Sequence, residues 1–208
     1  MSLPERRTMF FLNIKKIRKS IKNTFKTGLV VAEENGRLYM SGRFWELQTD
    51  LRDLPKEIKA QLIELIGELP EGVRWKCDKN GAQLEFGLPT KIDIGNMTDE
   101  LETTDLILKK SGDSYRLVQD MCTGKIHLLD EEIYESVIKI EEVYGPYLDC
   151  HTLLWISEET RFKVLLSRIE DETGLLDDLS MIQLAGKVVN DMEEEDEEEE
   201  TSSEEHSS

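Results

Sequence analysis

Little in this 208-residue chain suits cross-linking, metal capture or membrane crossing. Cys77, Cys122 and Cys150 are its only cysteines, an odd set without paired metal-ligand spacing, and no secretory signal precedes them. A reduced, cytoplasmic protein is therefore expected. No run of eighteen apolar residues occurs, so no segment is a candidate membrane-spanning helix. Histidine is equally scarce: His127 lies five residues after Cys122, His151 directly follows Cys150, and His206 sits among acids near the end. The two Cys/His pairs could make a metal site only by meeting in space, and Cys150 and His151, as neighbours on a strand, would point to opposite faces. Buried thiols and an incidental histidine are the simpler expectation.

Familiar catalytic patterns are missing as well. No dinucleotide fingerprint, nucleophile elbow or two-histidine zinc helix is present. Thr123-Gly124-Lys125 has the closing Gly-Lys of a phosphate loop but neither its earlier glycine nor a following Ser or Thr. No catalytic residue, metal or cofactor is assigned on this basis. Asn96-Met97-Thr98 fits a glycosylation sequon that a cytoplasmic chain would leave unused.

What the chain has in excess is carboxylate. Its 44 acids against 26 bases give a formal charge of -18. The charge is unevenly placed. Residues 1–28 hold eight bases and one acid, a balance of +7; residues 191–208 hold eleven acids and no Lys or Arg; the stretch between them is still at -14. The acidic end, with Met192 its one apolar side chain, cannot bury enough surface to offset the entropy of ordering, and a disordered tail is expected over 191–208.

Periodicity predicts an α+β fold of antiparallel β-hairpins with packed helices. Phe10, Ile14, Ile17, Ile21 and Phe25 form one stripe of an amphipathic helix, assigned to 1–27, whose bases Lys15, Lys16, Arg18, Lys19, Lys22 and Lys26 fall mostly outside that stripe. The stripe can pack on a core, pair the helix with an acidic face of the same chain, or bring residues 10–26 onto an anionic membrane. Residues 28–87 read as a ββαββ-like unit. Asn35-Gly36 supplies a tight turn between Leu29–Glu34 and Arg37–Trp45, a helix runs from Pro55 to Leu69, and a second hairpin turns at Asn80-Gly81. Residues 88–104 lack a firm period and read as a linker or loop.

From 105 to 190 the pattern predicts a three-stranded meander and then three helices. Asp130 would cap the first, through Val137 and Ile140 to Tyr144; Ser157 the second, through Phe162, Leu165, Leu166 and Ile169; Asp177 or Asp178 the third, through Ile182 and Val189. Gly145-Pro146 and Gly174 would provide the stops. Trp45, Trp75 and Trp155 read as core anchors, and no internal repeat is visible beyond recurring hairpins.

These observations favour a non-catalytic protein whose acidic surface binds a basic surface of a partner, for instance the nucleic-acid channel of an enzyme such as RNA polymerase. In size and charge the chain is similar to small acidic bacteriophage proteins that inhibit or mimic nucleic acid toward host enzymes. That likeness of composition transfers no residue and would place the chain in the host cytoplasm. The helix-face acids Glu131, Glu132, Glu135, Glu141 and Glu142, with Glu158 and Glu159, are the expected contact surface. Direct nucleic-acid binding through the main domain is disfavoured by its charge. A peripheral membrane or adaptor role for the basic helix is one alternative; an enzyme whose carboxylates converge only in three dimensions is another.

Overall fold

The computed structural model describes residues 10–85, 91–94, 99–138, 140, 143–149, 151–167 and 174–180. Helix α1 (Ile14–Phe25) leads into β1 (Leu29–Glu34), β2 (Arg37–Ser41) and β3 (Trp45–Asp50), then α2 (Lys56–Ile66), β4 (Arg74–Asp78) and β5 (Gly81–Glu85). The second half runs β6 (Asp99–Lys110), β7 (Asp113–Asp120), β8 (Ile126–Asp130), α3 (Glu131–Tyr134), β9 (Tyr144–Asp149), β10 (Thr152–Ile156), β11 (Thr160–Leu165) and α4 (Leu175–Ser180). The fold is mixed α+β with antiparallel pairing throughout the ladder. The expected acidic tail lies outside the described residues, as does the end of the last expected helix.

The strands form one sheet in the order β5-β4-β1-β2-β3-β11-β10-β9-β6-β7-β8. This order contains a repeat that composition and periodicity do not reveal. Each half lays down three strands, a helix and two more strands, giving β3-β2-β1-β4-β5 in the first and β8-β7-β6-β9-β10 in the second. β11 is the additional strand that joins them, pairing with both β3 and β10. At that seam the Thr49 and Thr160 hydroxyls share a buried hydrogen bond of 2.8 Å.

Local chemistry explains the elements that were legible. Asn35 and Gly36 take φ of 52° and 77°, which is what a two-residue hairpin turn demands. Asn13 caps α1, its Oδ1 accepting from the N–H groups of Lys15 and Lys16 at 3.1 and 3.3 Å. The helix buries Ile17 and Ile21 in the main core, a gain of about 2 kcal/mol for each side chain. That core unites α1, α2 and one face of the sheet, from Val31, Met40 and Leu47 across to Phe162, Leu153 and Val118. A smaller cluster lies beneath α4, where Leu176 and Leu179 cover Leu117, Ile126 and Leu128.

Several expectations change. The ββαββ unit gains a strand because the chain from Arg37 to Trp45 breaks at Gly42: a Cβ there would stand 2.6 Å from Trp45 Nε1 and 2.8 Å from Thr24 Oγ1. Trp45 therefore opens β3, and its indole donates to Thr24 Oγ1 at 3.2 Å. The helix expected from Ser157 is instead β11. Ser157 caps a hairpin turn, its Oγ accepting from Thr160 N at 3.2 Å, and Thr160, Phe162 and Val164 alternate into the core with period two.

The helix capped by Asp130 is real but ends at Tyr134; Asp130 Oδ1 accepts from Ile133 N at 3.1 Å. Beyond it the chain pairs with the segment before α1, through Asn13 N to Ser136 O and Ile138 N to Phe11 O, both 2.7 Å. Those extended-chain bonds replace the next helical turns. Gly145-Pro146 accordingly sits inside β9 rather than stopping a helix. The latter part of the expected linker, from Asp99, begins β6, and Ile92 is buried.

Candidate functional site

The acids expected to meet a partner fall into two groups. Glu131 is spent internally: its carboxylate receives the Nε of Arg116 at 2.9 Å and also pairs with the other arm of that guanidinium, and both side chains are only 14% exposed. Glu132 pairs with Lys19, and Glu135 with Lys16. The Lys16 ammonium holds the Glu135 carboxyl below the usual carboxylate range, while Glu135 raises Lys16. The basic helix thus uses part of its charge on the acids of α3. Such half-exposed pairs contribute about 0.2–1 kcal/mol each, so they set the docking of α1 more than its stability.

The other bases of α1 are placed differently. Arg18 Nε donates to Gln61 Oε1 of α2 at 2.7 Å, and Gln61 returns a bond to Arg18 O at 2.9 Å. Lys26 Nζ bonds Asn23 Oδ1 at 3.0 Å, and Lys15 and Lys22 are exposed. Insertion of the apolar stripe into a bilayer would have to draw Ile17 and Ile21 out of the core, whereas Lys15, Lys19, Lys22 and Lys26 face outward as the helix stands. No helix among the described residues is long and apolar enough to cross a membrane. Glu141 and Glu142 lie outside the described residues.

Glu158 and Glu159 belong to an acidic corner that sequence reasoning only half located. They occupy the β10–β11 turn, and the β3–β11 ladder brings that turn beside the chain leaving β3. Asp50, Asp53 and Glu159 can place carboxylate oxygens within 4.8 Å of one another. Asp50 N also donates to the Glu159 carbonyl at 3.3 Å. Arg37, opposite Asp50 in the β2–β3 ladder, and Arg52 are bases near this corner. Arg52 is taken by Asp50, to which it donates from Nε at 3.1 Å, from a terminal nitrogen at 2.9 Å and from its backbone N at 3.0 Å. These bonds, side-chain first, lower the Asp50 carboxyl. Asp53 moves the other way, raised by burial and then by the charges of Asp50 and Glu158. A group raised in that way is one that an added cation would relieve.

A cavity of about 590 Å³ lies on the helix side of the second half. Leu101 and Thr103 of β6, Val137 and Ile140 beyond α3, and Trp155 of β10 are among its walls. Trp155 is 3% exposed and packs at 6.3 Å from the Phe162 ring.

The histidine and thiol expectations also resolve in part. Cys77 is buried and Cys122 exposed; Cys150 is outside the described residues. His127 on β8 has its Nε2 buried without a hydrogen-bond partner. Burial first, then Lys125, pushes its pKa below 6.5, with Asp120 opposing. A depressed folded value means the unfolded chain takes up the proton first, so the associated stability is present above about pH 6.5 and is lost as pH falls through the folded pKa. Urea unfolding at about pH 7.5 and pH 5 should register that loss, and His127→Leu should flatten it. An unchanged slope in the variant would assign the acid sensitivity elsewhere.

No protein-family model matches this chain, and no curated protein matches it. Among solved structures it is similar to the crystal structure of the DNA polymerase III beta chain from Streptococcus pneumoniae TIGR4, at 6% identity and a TM-score of 0.34 over 78% of this chain. The match spans 65% of the length of that chain.

Proposed function

We propose that this chain is a non-catalytic interaction protein that offers carboxylates to a basic surface of a partner. The partner its chemistry fits best is the nucleic-acid channel of an enzyme such as RNA polymerase. The observation that carries this reading is the acidic corner. Asp50, Asp53 and Glu159 bring carboxylate oxygens within 4.8 Å of one another, the charge of Glu158 also reaches Asp53, and Arg52 is already engaged by Asp50. Lysines or arginines that normally hold phosphates would satisfy these carboxylates equally well, and the -14 balance of residues 29–190 would speed encounter. The expected contact surface shifts from α3, whose acids are paired within the chain, to the turn that carries Glu158 and Glu159.

Competition between this protein and duplex DNA for purified bacterial RNA polymerase tests the reading. The protein should displace DNA at about 50 mM salt and lose most of that effect by about 200 mM. Glu158→Lys with Glu159→Lys should weaken displacement about tenfold with unchanged thermal unfolding. Displacement indifferent to salt and to these changes would reject the proposal. So would tight calorimetric binding of Mg²⁺ or Ca²⁺ that Asp53→Asn abolishes, since the carboxylates would then serve a metal ion.

A further inference from the structure

We propose that the cavity beside β9 is a docking pocket for a short peptide segment of the partner, in which a bulky apolar side chain stands next to a lysine or arginine. This rests on the reading of the chain as an acceptor of basic surfaces, and it adds an apolar determinant to that reading. The volume, about 590 Å³, falls in the range of pockets that enclose ligands.

The pocket is built by the backbone. Leu154 pairs with Tyr147 and Ile156 with Tyr144, so one residue of β10, Trp155, faces two of β9, Gly145 and Pro146. That is a β-bulge, which bends its strand and re-aims the side chain opposite. All three residues line the cavity. The neighbouring ladder stops at the same place: β6 pairs with β9 only through Asp99↔Leu148 and Glu100↔Tyr147, and the next β9 residue, Pro146, has no N–H to extend it. β6 and β9 thus part around an apolar floor.

The far wall is held at Val137 before any ligand arrives. Val137 forms a bridge with Leu12, flanked by the bonds of Asn13 to Ser136 and of Ile138 to Phe11. A preformed cleft avoids ordering cost on binding. Charge specifies the occupant. Among the described residues that line it, Glu102 is the one charged residue and none is Lys or Arg. With an acidic body around it, the pocket favours an apolar group flanked by positive charge over one flanked by negative. Met121, in the lining and 36% exposed, adds a pliable thioether that accommodates varied apolar shapes.

The test uses the full chain and three fluorescein-labelled hexapeptides read by anisotropy. They are Lys-Lys-Phe-Leu-Arg-Gly, its apolar-deleted form Lys-Lys-Gly-Ser-Arg-Gly and its charge-reversed form Glu-Glu-Phe-Leu-Glu-Gly. The first should bind at least about tenfold more tightly than the other two. Glu102→Lys and, separately, Met121→Trp should each weaken it about tenfold while the thermal midpoint holds. Equal binding of the apolar-deleted peptide overturns the inference, as does indifference to both variants. If Glu158→Lys with Glu159→Lys removes peptide binding and the two pocket variants do not, the pocket fails and the acidic-corner reading survives. If the pocket variants remove it while the protein never displaces DNA, the pocket stands and the proposed function falls.

Discussion

Replacing Arg116 by alanine should destabilise the fold by about 3 kcal/mol, the low end of the cost of stripping one partner from a buried ion pair. Besides standing 4.0 Å from the exposed carboxylate of Asp105, the guanidinium does three things at once. It forks onto Glu131, donates to the Thr104 carbonyl at 3.1 Å, and lies 4.7 Å from the centre of the Tyr134 ring. Removal leaves the Glu131 carboxylate, 14% exposed, without its counter-charge. Glu131→Gln should cost less, about 1–2 kcal/mol, because the amide oxygen still accepts from Arg116. Arg116→Ala combined with Glu131→Gln should cost less than the two single changes added together, giving a coupling of about 2 kcal/mol in a double-mutant cycle. Urea unfolding of the four proteins measures it. A cost below about 1 kcal/mol for Arg116→Ala would mean that the pair behaves as a surface contact.

The same pair shows why the role of the acids could not be taken from sequence. Glu131, Glu132 and Glu135 have the spacing of an exposed helical face, and a face of three carboxylates reads as free. Their partners are distant in the chain: Arg116 on β7, and Lys19 and Lys16 on α1. The stripe of Phe10 to Phe25 was legible, since one period of 3.6 residues fixes it. Which of its possible surfaces it met depended on a tertiary contact.

Two of the three hairpins of the first half were legible for a local reason, because Asn35-Gly36 and the glycine at 81 state their turns outright. β11 was hidden by a local ambiguity. Ser157-Glu158-Glu159 is as good a helix start as a hairpin turn, and Phe162, Leu165 and Leu166 fit a helical stripe. The outcome is set by Thr160, Phe162 and Val164 pairing with Thr49, Leu47 and Trp45 on β3. The acidic corner is a product of that register, so half of it, Asp50 and Asp53, had no sequence signal beyond two ordinary aspartates after a strand. The topological repeat was invisible because strand order, unlike turn chemistry, leaves no residue signature.

Gly145→Ala carries the other large effect. Gly145 has φ of +105°, a region that L residues rarely adopt, and a Cβ there would lie 2.5 Å from the Leu154 carbonyl oxygen and 3.1 Å from Tyr147 N. Both obstacles are backbone, in the strands that form the bulge, so neither can swing aside as a flexible side chain would. The backbone penalty of about 1–3 kcal/mol adds to the cost of forcing β9 from β10. The expected total is about 3–4 kcal/mol by urea unfolding. Gly36→Ala is the control. Its φ of +77° imposes a similar conformational demand, but nothing lies within 4 Å of the added carbon, so it should cost only about 1 kcal/mol. The difference between the two isolates the close approach at the bulge. Equal costs would mean that β9 and β10 separate freely there, and the floor of the pocket at Trp155 would then be soft rather than preformed.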